Sequence, residues 1–247
     1  MRNNNTNIIF SSWPSAGGTT AARFIALMFE MKYVYAGGVL KYWVKAMGYD
    51  PKSNQINEWA EKYHRYWDLV WENFIAKYAL SSTNALVEGM TAGFMIQSDK
   101  VYKVFVKADL EVRMKRAQGD KRSESVGVRD AFLKNEWKER FGIDIFDEEL
   151  IKRSYDFVLD ATNIGIKEVW TSILQNLNEN NVRNFNLSKY LKNVESVYAK
   201  YERNSDYLKD ELEKKGLILE SSQVLKIIKE QYPDLVAQIP EEMKSVI

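Results

Sequence analysis

Cysteine is absent from the 247-residue chain, and histidine occurs once, as His64. The first absence excludes disulfides, thiolate nucleophiles, cysteine-based zinc sites and iron–sulfur clusters. The second excludes a two-histidine metal site of the H-E-x-x-H kind. Only four prolines punctuate the chain, and no apolar run reaches the roughly 18 residues that a membrane-crossing helix needs. Met1 to Asn7 is polar and Asn-rich, without the cationic-then-apolar order of a signal peptide. Neither sign of charge dominates: 35 basic against 34 acidic residues give a formal +1, which supplies no broad electrostatic footprint for duplex nucleic acid. These absences lead to the expectation of a cytoplasmic protein with no membrane segment. What remains is the composition of a globular chain, 45% hydrophobic and 28% charged. Its length suits one domain of roughly 100 to 200 residues with an appendage.

The chain opens with an apolar, β-prone run, Asn7 to Ser12, followed by a turn-rich stretch ending at Gly17-Gly18. A helix-forming segment then runs from Thr19 to Met31, so the opening predicts strand, loop, helix. Further strands are predicted at Tyr33 to Tyr35, Ala85 to Val87, Val101 to Val106 and Tyr155 to Leu159. Helices are predicted at Val39 to Met47, Leu110 to Ala117, Val126 to Phe141 and Ile166 to Leu177. The firmest periodicity is Ile56, Trp59, Tyr63, Trp67, Val70, Trp71, Phe74, Ile75 and Tyr78, a long amphipathic helix. Alternating strands and helices predict a mainly parallel sheet covered on both faces. The Asn-rich stretch Asn178 to Asn186 reads as a boundary, dividing the chain into residues 1–178 and a helical extension, 179–247. Within that extension, Leu217, Ile218, Leu219, Val224, Leu225, Ile227 and Ile228 demand cover. It comes either from the main domain or from a protein partner or self-association through residues 187–247.

The loop Ser12-Trp13-Pro14-Ser15-Ala16-Gly17-Gly18-Thr19-Thr20 stands where strand–loop–helix units cradle phosphates. Compared with the pattern G-x-x-x-x-G-K-[ST], Gly17 and the hydroxyl of Thr19 are kept. Ser12 replaces the first glycine and Gly18 replaces the lysine. The backbone amides and the metal-ligating oxygen survive, while the mobile positive charge is gone.

Several segments, in order, resemble the archaeal-type cytidylate kinase family of P-loop nucleoside-monophosphate kinases, over about residues 7 to 177. Ser12 to Thr20 is similar to that family's Gly-Pro-Pro-Gly-Ser-Gly-Lys-Thr-Thr, and Tyr35-Ala36-Gly37-Gly38-Val39-Leu40-Lys41 to its Ser-Ala-Gly-x-x-x-Arg. Leu86-Val87-Glu88-Gly89-Met90-Thr91-Ala92-Gly93 resembles Val-x-Glu-Gly-Arg-Leu-Ala-Gly, and Asp109-Leu110-Glu111-Val112-Arg113 resembles Pro-Leu-Glu-Val-Arg. Phe141-Gly142-Ile143-Asp144 is similar to Tyr-Gly-Ile-Asp, and Asp156 to Thr162 to the last strand. The resemblance implies an α/β, P-loop NTPase-type, mainly parallel five-stranded sheet with helices on both faces; the C-terminal helical appendage lies outside it.

It further implies transfer of the ATP γ-phosphoryl group to a nucleoside monophosphate with Mg²⁺, a reaction that needs positioning and charge neutralisation but no cysteine or histidine. Carried over residue by residue, Ser15, Ala16, Gly17, Gly18, Thr19 and Thr20 would hold the nucleotide phosphates, and Thr19 would ligate Mg²⁺. Glu88 would organise metal or water; Gly37, Lys41 and Gly89 would face the acceptor; Arg113, Arg116 and Arg129 would be lid charges. The departures fall in the same places: Gly18 for lysine, Lys41 for arginine, Met90 for the arginine after Glu-Gly, and Glu136 for a second lid arginine. Lys32, Lys121 and Arg122 are candidate replacement cations, and Gly18→Lys is the substitution expected to raise transfer if the missing charge alone limits it.

Plainer readings stand beside these. Ser12 to Thr20 also fits a tight turn that binds nothing, and Glu88 an ordinary strand-end carboxylate. His64 falls at the edge of the aromatic helix stripe, where packing or a surface hydrogen bond accounts for it better than base catalysis. Tyr63, Tyr66, Trp67 and Trp71 follow helical spacing and read as core before base-stacking platform. The functional alternatives are a nucleotide-binding kinase-like protein, a pseudokinase that works through its C-terminal helices, and a P-loop transferase using another phosphorylated or sulfated donor.

Overall fold

A computed structural model describes residues 6–51, 53, 55–118 and 123–247. The candidate cations Lys121 and Arg122 lie outside the described residues. The elements run β1 (Asn7–Ser12), α1 (Gly18–Met28), β2 (Lys32–Tyr35), α2 (Ala36–Ala46), α3 (Gln55–Ser81), β3 (Ala85–Glu88), α4 (Ala92–Met95), β4 (Val101–Lys107), α5 (Leu110–Ala117) and α6 (Ser123–Phe141). They continue with α7 (Glu148–Ser154), β5 (Phe157–Asp160), α8 (Ile166–Glu179), α9 (Leu187–Arg203), α10 (Tyr207–Lys214), α11 (Ser221–Gln231), α12 (Pro233–Val236) and α13 (Glu241–Lys244).

The strands form one parallel sheet in the order β2-β3-β1-β4-β5. Alternate side chains enter two cores, as a strand's period of two requires. Ile8, Phe10, Tyr33, Leu86 and Val104 pack beneath α1 and α8, whereas Ile9, Val34 and Val87 pack beneath α2 and α3. Burial on both faces explains why these strands read as continuous apolar runs rather than alternating ones. The architecture is the α/β P-loop fold.

The aromatic stripe of α3 is core. Trp59, Trp67, Trp71 and Phe74 are buried, Trp67 and Trp71 stack at 5.2 Å, and Trp43 of α2 meets Trp67 edge-on at 5.4 Å. Tyr63 and Tyr66 line its partly buried margin. His64, on α3, faces α6, its Nδ1 3.0 Å from Asp68 and its ring 5.8 Å from that of Phe132.

The C-terminal residues pack on both cores. From α9 and α10, Val194, Leu208 and Leu212 join the α1/α8 side; from α11 to α13, Val224, Leu225, Ile228, Leu235 and Met243 join the α2/α3 side. Between these groups the chain turns at Gly216, whose φ is +61°, and Leu217 to Leu219 runs along the edge of β2. Tyr33 N–H donates to Leu217 O at 2.8 Å, and Leu219 N–H to Tyr33 O at 3.0 Å. An otherwise open sheet edge is thereby paired. The run Leu187 to Lys215 is two helices, broken where Asn204 Oδ1 accepts the Asp206 N–H at 3.0 Å, a local turn that competes with the helix. Among the described residues, no helix is long and apolar enough to cross a membrane.

Candidate functional site

β1 is flanked by β3 and β4, and its C-terminal end feeds the loop Trp13 to Gly17, the place where open parallel sheets bind ligands. Trp13 anchors the loop through its side chain. Trp13 donates its ring N–H to Ile145 O at 3.0 Å, packs on Phe146 at 5.2 Å, and lies under the Arg113 guanidinium at 5.4 Å. Ser15 has φ +61° and Gly17 φ +96°, so the loop curls through left-handed backbone on either side of buried Ala16. Only glycine takes such a φ without strain, and Ser15 bears that strain. Gly17 caps α1 with no side-chain bond, and the helical ladder begins at the Ala21 N–H to Gly17 O bond of 3.1 Å. The amides of Gly18, Thr19 and Thr20 therefore lack helical acceptors, which together with the helix dipole gives an anion cradle.

Gly18 is buried. A Cβ added there would fall on the Oγ and Cβ of Ser12, so the serine side chain already fills the space where a lysine stem would start. The two replacements read separately in the sequence are one steric pair.

Beside the cradle, Thr19 Oγ1 and Tyr33 OH each donate a short hydrogen bond to a different oxygen of the Glu88 carboxylate. Arg23, four residues after Thr19 on α1, adds its charge to the group. Burial pushes the Glu88 carboxyl above its ordinary range, opposed by the Thr19 and Tyr33 hydrogen bonds and by Arg23. Burial, with Glu88 beside it, raises Tyr33 well above a normal phenol. A hydroxyl and a carboxylate in contact at the end of an amide cradle are the hard oxygen donors that suit Mg²⁺, which keeps several waters and needs only one or two protein ligands. The residues present thus fit a Mg²⁺–phosphate ligand, which Thr19 and Glu88 would hold.

Glu72 was not singled out in the sequence. Buried on α3, it accepts the backbone N–H groups of Met90 at 3.1 Å and Thr91 at 3.0 Å, and burial pushes its carboxyl up to about 7. It clamps the turn that follows Glu88. Gly89 lies so close to Ile75 and Glu72 that no Cβ fits there. The available signal was a carboxylate three residues before Ile75, on the stripe that is otherwise apolar.

The remaining predicted residues are spread around this centre. Arg113 is buried and engaged: its Nε donates to Ala108 O at 2.8 Å, Nη1 to Pro14 O at 3.2 Å, and the fork to Asp130 of α6 at 3.0 and 2.5 Å. Arg116 donates to Ala16 O at 3.3 Å, Ala161 O at 2.7 Å and Ile164 O at 3.2 Å. Arg129 lies on the exposed side of α6, and Glu136 pairs with Arg140 there. Gly37 and Lys41 are exposed on α2. Lys32 stands at the opposite, N-terminal end of β2 with its ammonium on Gly216 O at 2.8 Å, so it does not supply the missing cation.

No family model matches the chain. It is 28% identical over 167 residues to the cytidylate kinase of Thermococcus sibiricus, covering 64% of this chain and 80% of that protein. To the cytidylate kinase of Methanocaldococcus jannaschii it is 27% identical over 175 residues, covering 67% and 94%. The chain resembles the archaeal cytidylate kinases. The cytidylate kinase of Sulfolobus acidocaldarius is 26% identical over 182 residues, 71% of this chain and 96% of its own. Among solved structures, a shikimate kinase from Acinetobacter baumannii aligns with TM-score 0.49 at 18% identity, over 72% of this chain and 96% of that one. Compared with the general pattern G-x-x-x-x-G-K-[ST], this chain keeps Gly17 and Thr19, and the Ser12 side chain lies where a side chain at position 18 would start.

Proposed function

We propose that this protein is a nucleotide-binding, cytidylate-kinase-like P-loop protein whose loop holds the phosphates of ATP with Mg²⁺. A nucleoside monophosphate is the acceptor in the reaction that the resemblance implies. One observation carries the reading: the contact of Thr19 and Glu88 at the end of an amide cradle on the C-terminal edge of a parallel sheet. Mg²⁺ held there by Thr19 and Glu88 would supply neutralisation of the phosphate charge. This chain's residues contribute the rest: the amides of Gly18 to Thr20 bind phosphate oxygen, Glu88 and Thr19 orient the ion, and Lys41 on α2 attracts the acceptor phosphate.

Without a lysine at position 18, and with no other cation in its place, transfer is expected at about a hundredth to a thousandth of the rate of a lysine-bearing site, since one such electrostatic group is worth roughly 3 to 4 kcal/mol. The second reading, a nucleotide-binding pseudokinase, is favoured by the Ser12 side chain occupying the lysine's space. The two separate in an ADP-release assay with ATP·Mg²⁺ and CMP, dCMP, UMP or AMP. Acceptor-dependent ADP above background supports the kinase reading; nucleotide binding without it supports the pseudokinase, and neither binding nor turnover would remove both.

A further inference from the structure

Phosphate sites need positive charge, and three of the cations named so far are committed elsewhere: Arg113 to Asp130 and two carbonyls, Arg116 to three carbonyls, Lys32 to Gly216. Arg23 is placed differently. It follows Thr19 by one helical turn, and side chains on a helix generally lean back toward its N-terminus. Its guanidinium lies 5.4 Å from the centre of the Tyr35 ring, which stacks on Tyr33 at 5.4 Å with the planes nearly parallel. Tyr33 in turn donates to the same carboxylate that takes the Thr19 hydroxyl. Arg23 Nε is buried without a hydrogen-bond acceptor, although the guanidinium also hydrogen-bonds Tyr33 at the strand ends. Its charge is felt at both Glu88 and Tyr33.

We propose that Arg23 supplies, from one turn further along the same helix, the phosphate-neutralising charge that Gly18 lacks. This rests on the nucleotide reading of the loop and adds the identity of its cation. The aromatic pair is the platform that holds the guanidinium, since arginine stacks well on tyrosine faces. Ser12 is the complementary half of the arrangement, because it closes the space from which a lysine would otherwise act. A divalent cation held by Thr19 and Glu88 would offset the carboxylate's charge and leave the Arg23 guanidinium for phosphate oxygens.

Calorimetric titration of the full chain with ATP·Mg²⁺ tests this with three variants. Arg23→Gln is expected to weaken binding about ten- to a hundredfold, the range for a hydrogen-bonded charge, and Arg23→Lys to weaken it less. The decisive variant is Ser12→Gly/Gly18→Lys in the Arg23→Gln background. If Arg23 contributes charge, a lysine with room at position 18 restores affinity; if Arg23 only packs on Tyr35, it does not. Thermal melts alongside identify a loss caused by unfolding, and in that event Arg23→Lys and the rescue variant still decide. Wild-type binding undiminished in Arg23→Gln, or no rescue, overturns the role of Arg23 alone. No binding by the wild type overturns the nucleotide reading itself.

Discussion

The side chain of Ser12 occupies the space into which a Cβ on Gly18 would project. The consequence is that Gly18→Lys alone brings no gain in phosphoryl transfer. The new side chain collides with Ser12, and overpacking of this kind costs about 1 to 3 kcal/mol. Ser12→Gly/Gly18→Lys removes the collision and, compared in the Arg23→Gln background where that charge is otherwise lost, is expected to raise transfer about a hundredfold. ADP release by the two variants checks this, and equal gains from the single and double changes would contradict it.

Glu72 predicts a pH-dependent stability. Its carboxyl is raised from the ordinary 4.5 to about 7, mainly by burial. The folded chain therefore holds a proton that the unfolded chain has released between those values, so stability falls as pH rises through that window and levels off above it. The span corresponds to about 3 kcal/mol. Glu72→Gln lacks this slope. Urea unfolding at about pH 5 and pH 7.5 should show wild type losing ground to the variant by that order; parallel behaviour would contradict the assignment.

Arg113 predicts a structural penalty. Its bidentate bond to Asp130 is nearly out of solvent, with side-chain exposures of 3% and 15%. Arg113→Met is expected to cost about 3 to 5 kcal/mol by stranding Asp130, and Arg113→Lys less, because one point charge cannot replace the fork. The unfolding midpoint is the readout. An unchanged midpoint with lost transfer would instead make Arg113 a phosphate-gripping charge.

Truncation after Asn178 tests whether residues 1–178 stand alone. The deletion strips Val194, Leu208, Leu212, Val224, Leu225, Ile228 and Met243 from two cores and frees the β2 edge. Each large apolar loss costs about 2 to 5 kcal/mol, and whole domains are stable by only about 5 to 15. The shortened chain should show no cooperative melt in near-ultraviolet circular dichroism. A folded, soluble 1–178 fragment would contradict this.

Much of the sheet was legible because its strands are short apolar runs bounded by turn residues, and α3 because nine apolar positions keep helical spacing over more than six turns. The helices α4, α7, α12 and α13 were not read, since four to seven residues carry no full periodic stripe. The site divides similarly. Thr19 and Glu88 were visible as motif positions, and their contact bears on that reading. Arg23, Tyr33 and Glu72 were invisible as site residues because they converge from α1, β2 and α3, elements whose adjacency exists only once the sheet order is known. The Ser12–Gly18 complementarity was hidden for a related reason: a linear motif compares positions singly, whereas the collision depends on how the loop folds back on the strand end.

Mg²⁺–nucleotide binding by the loop is tested most directly by titration calorimetry of the full chain and of Thr19→Val with ATP, with Mg²⁺ and with chelator. Saturable one-site binding is predicted for wild type, weakened about tenfold or more by Thr19→Val or by removing Mg²⁺, the scale of a lost charge-assisted contact. Absence of binding by the wild type, or binding indifferent to both changes, would contradict it.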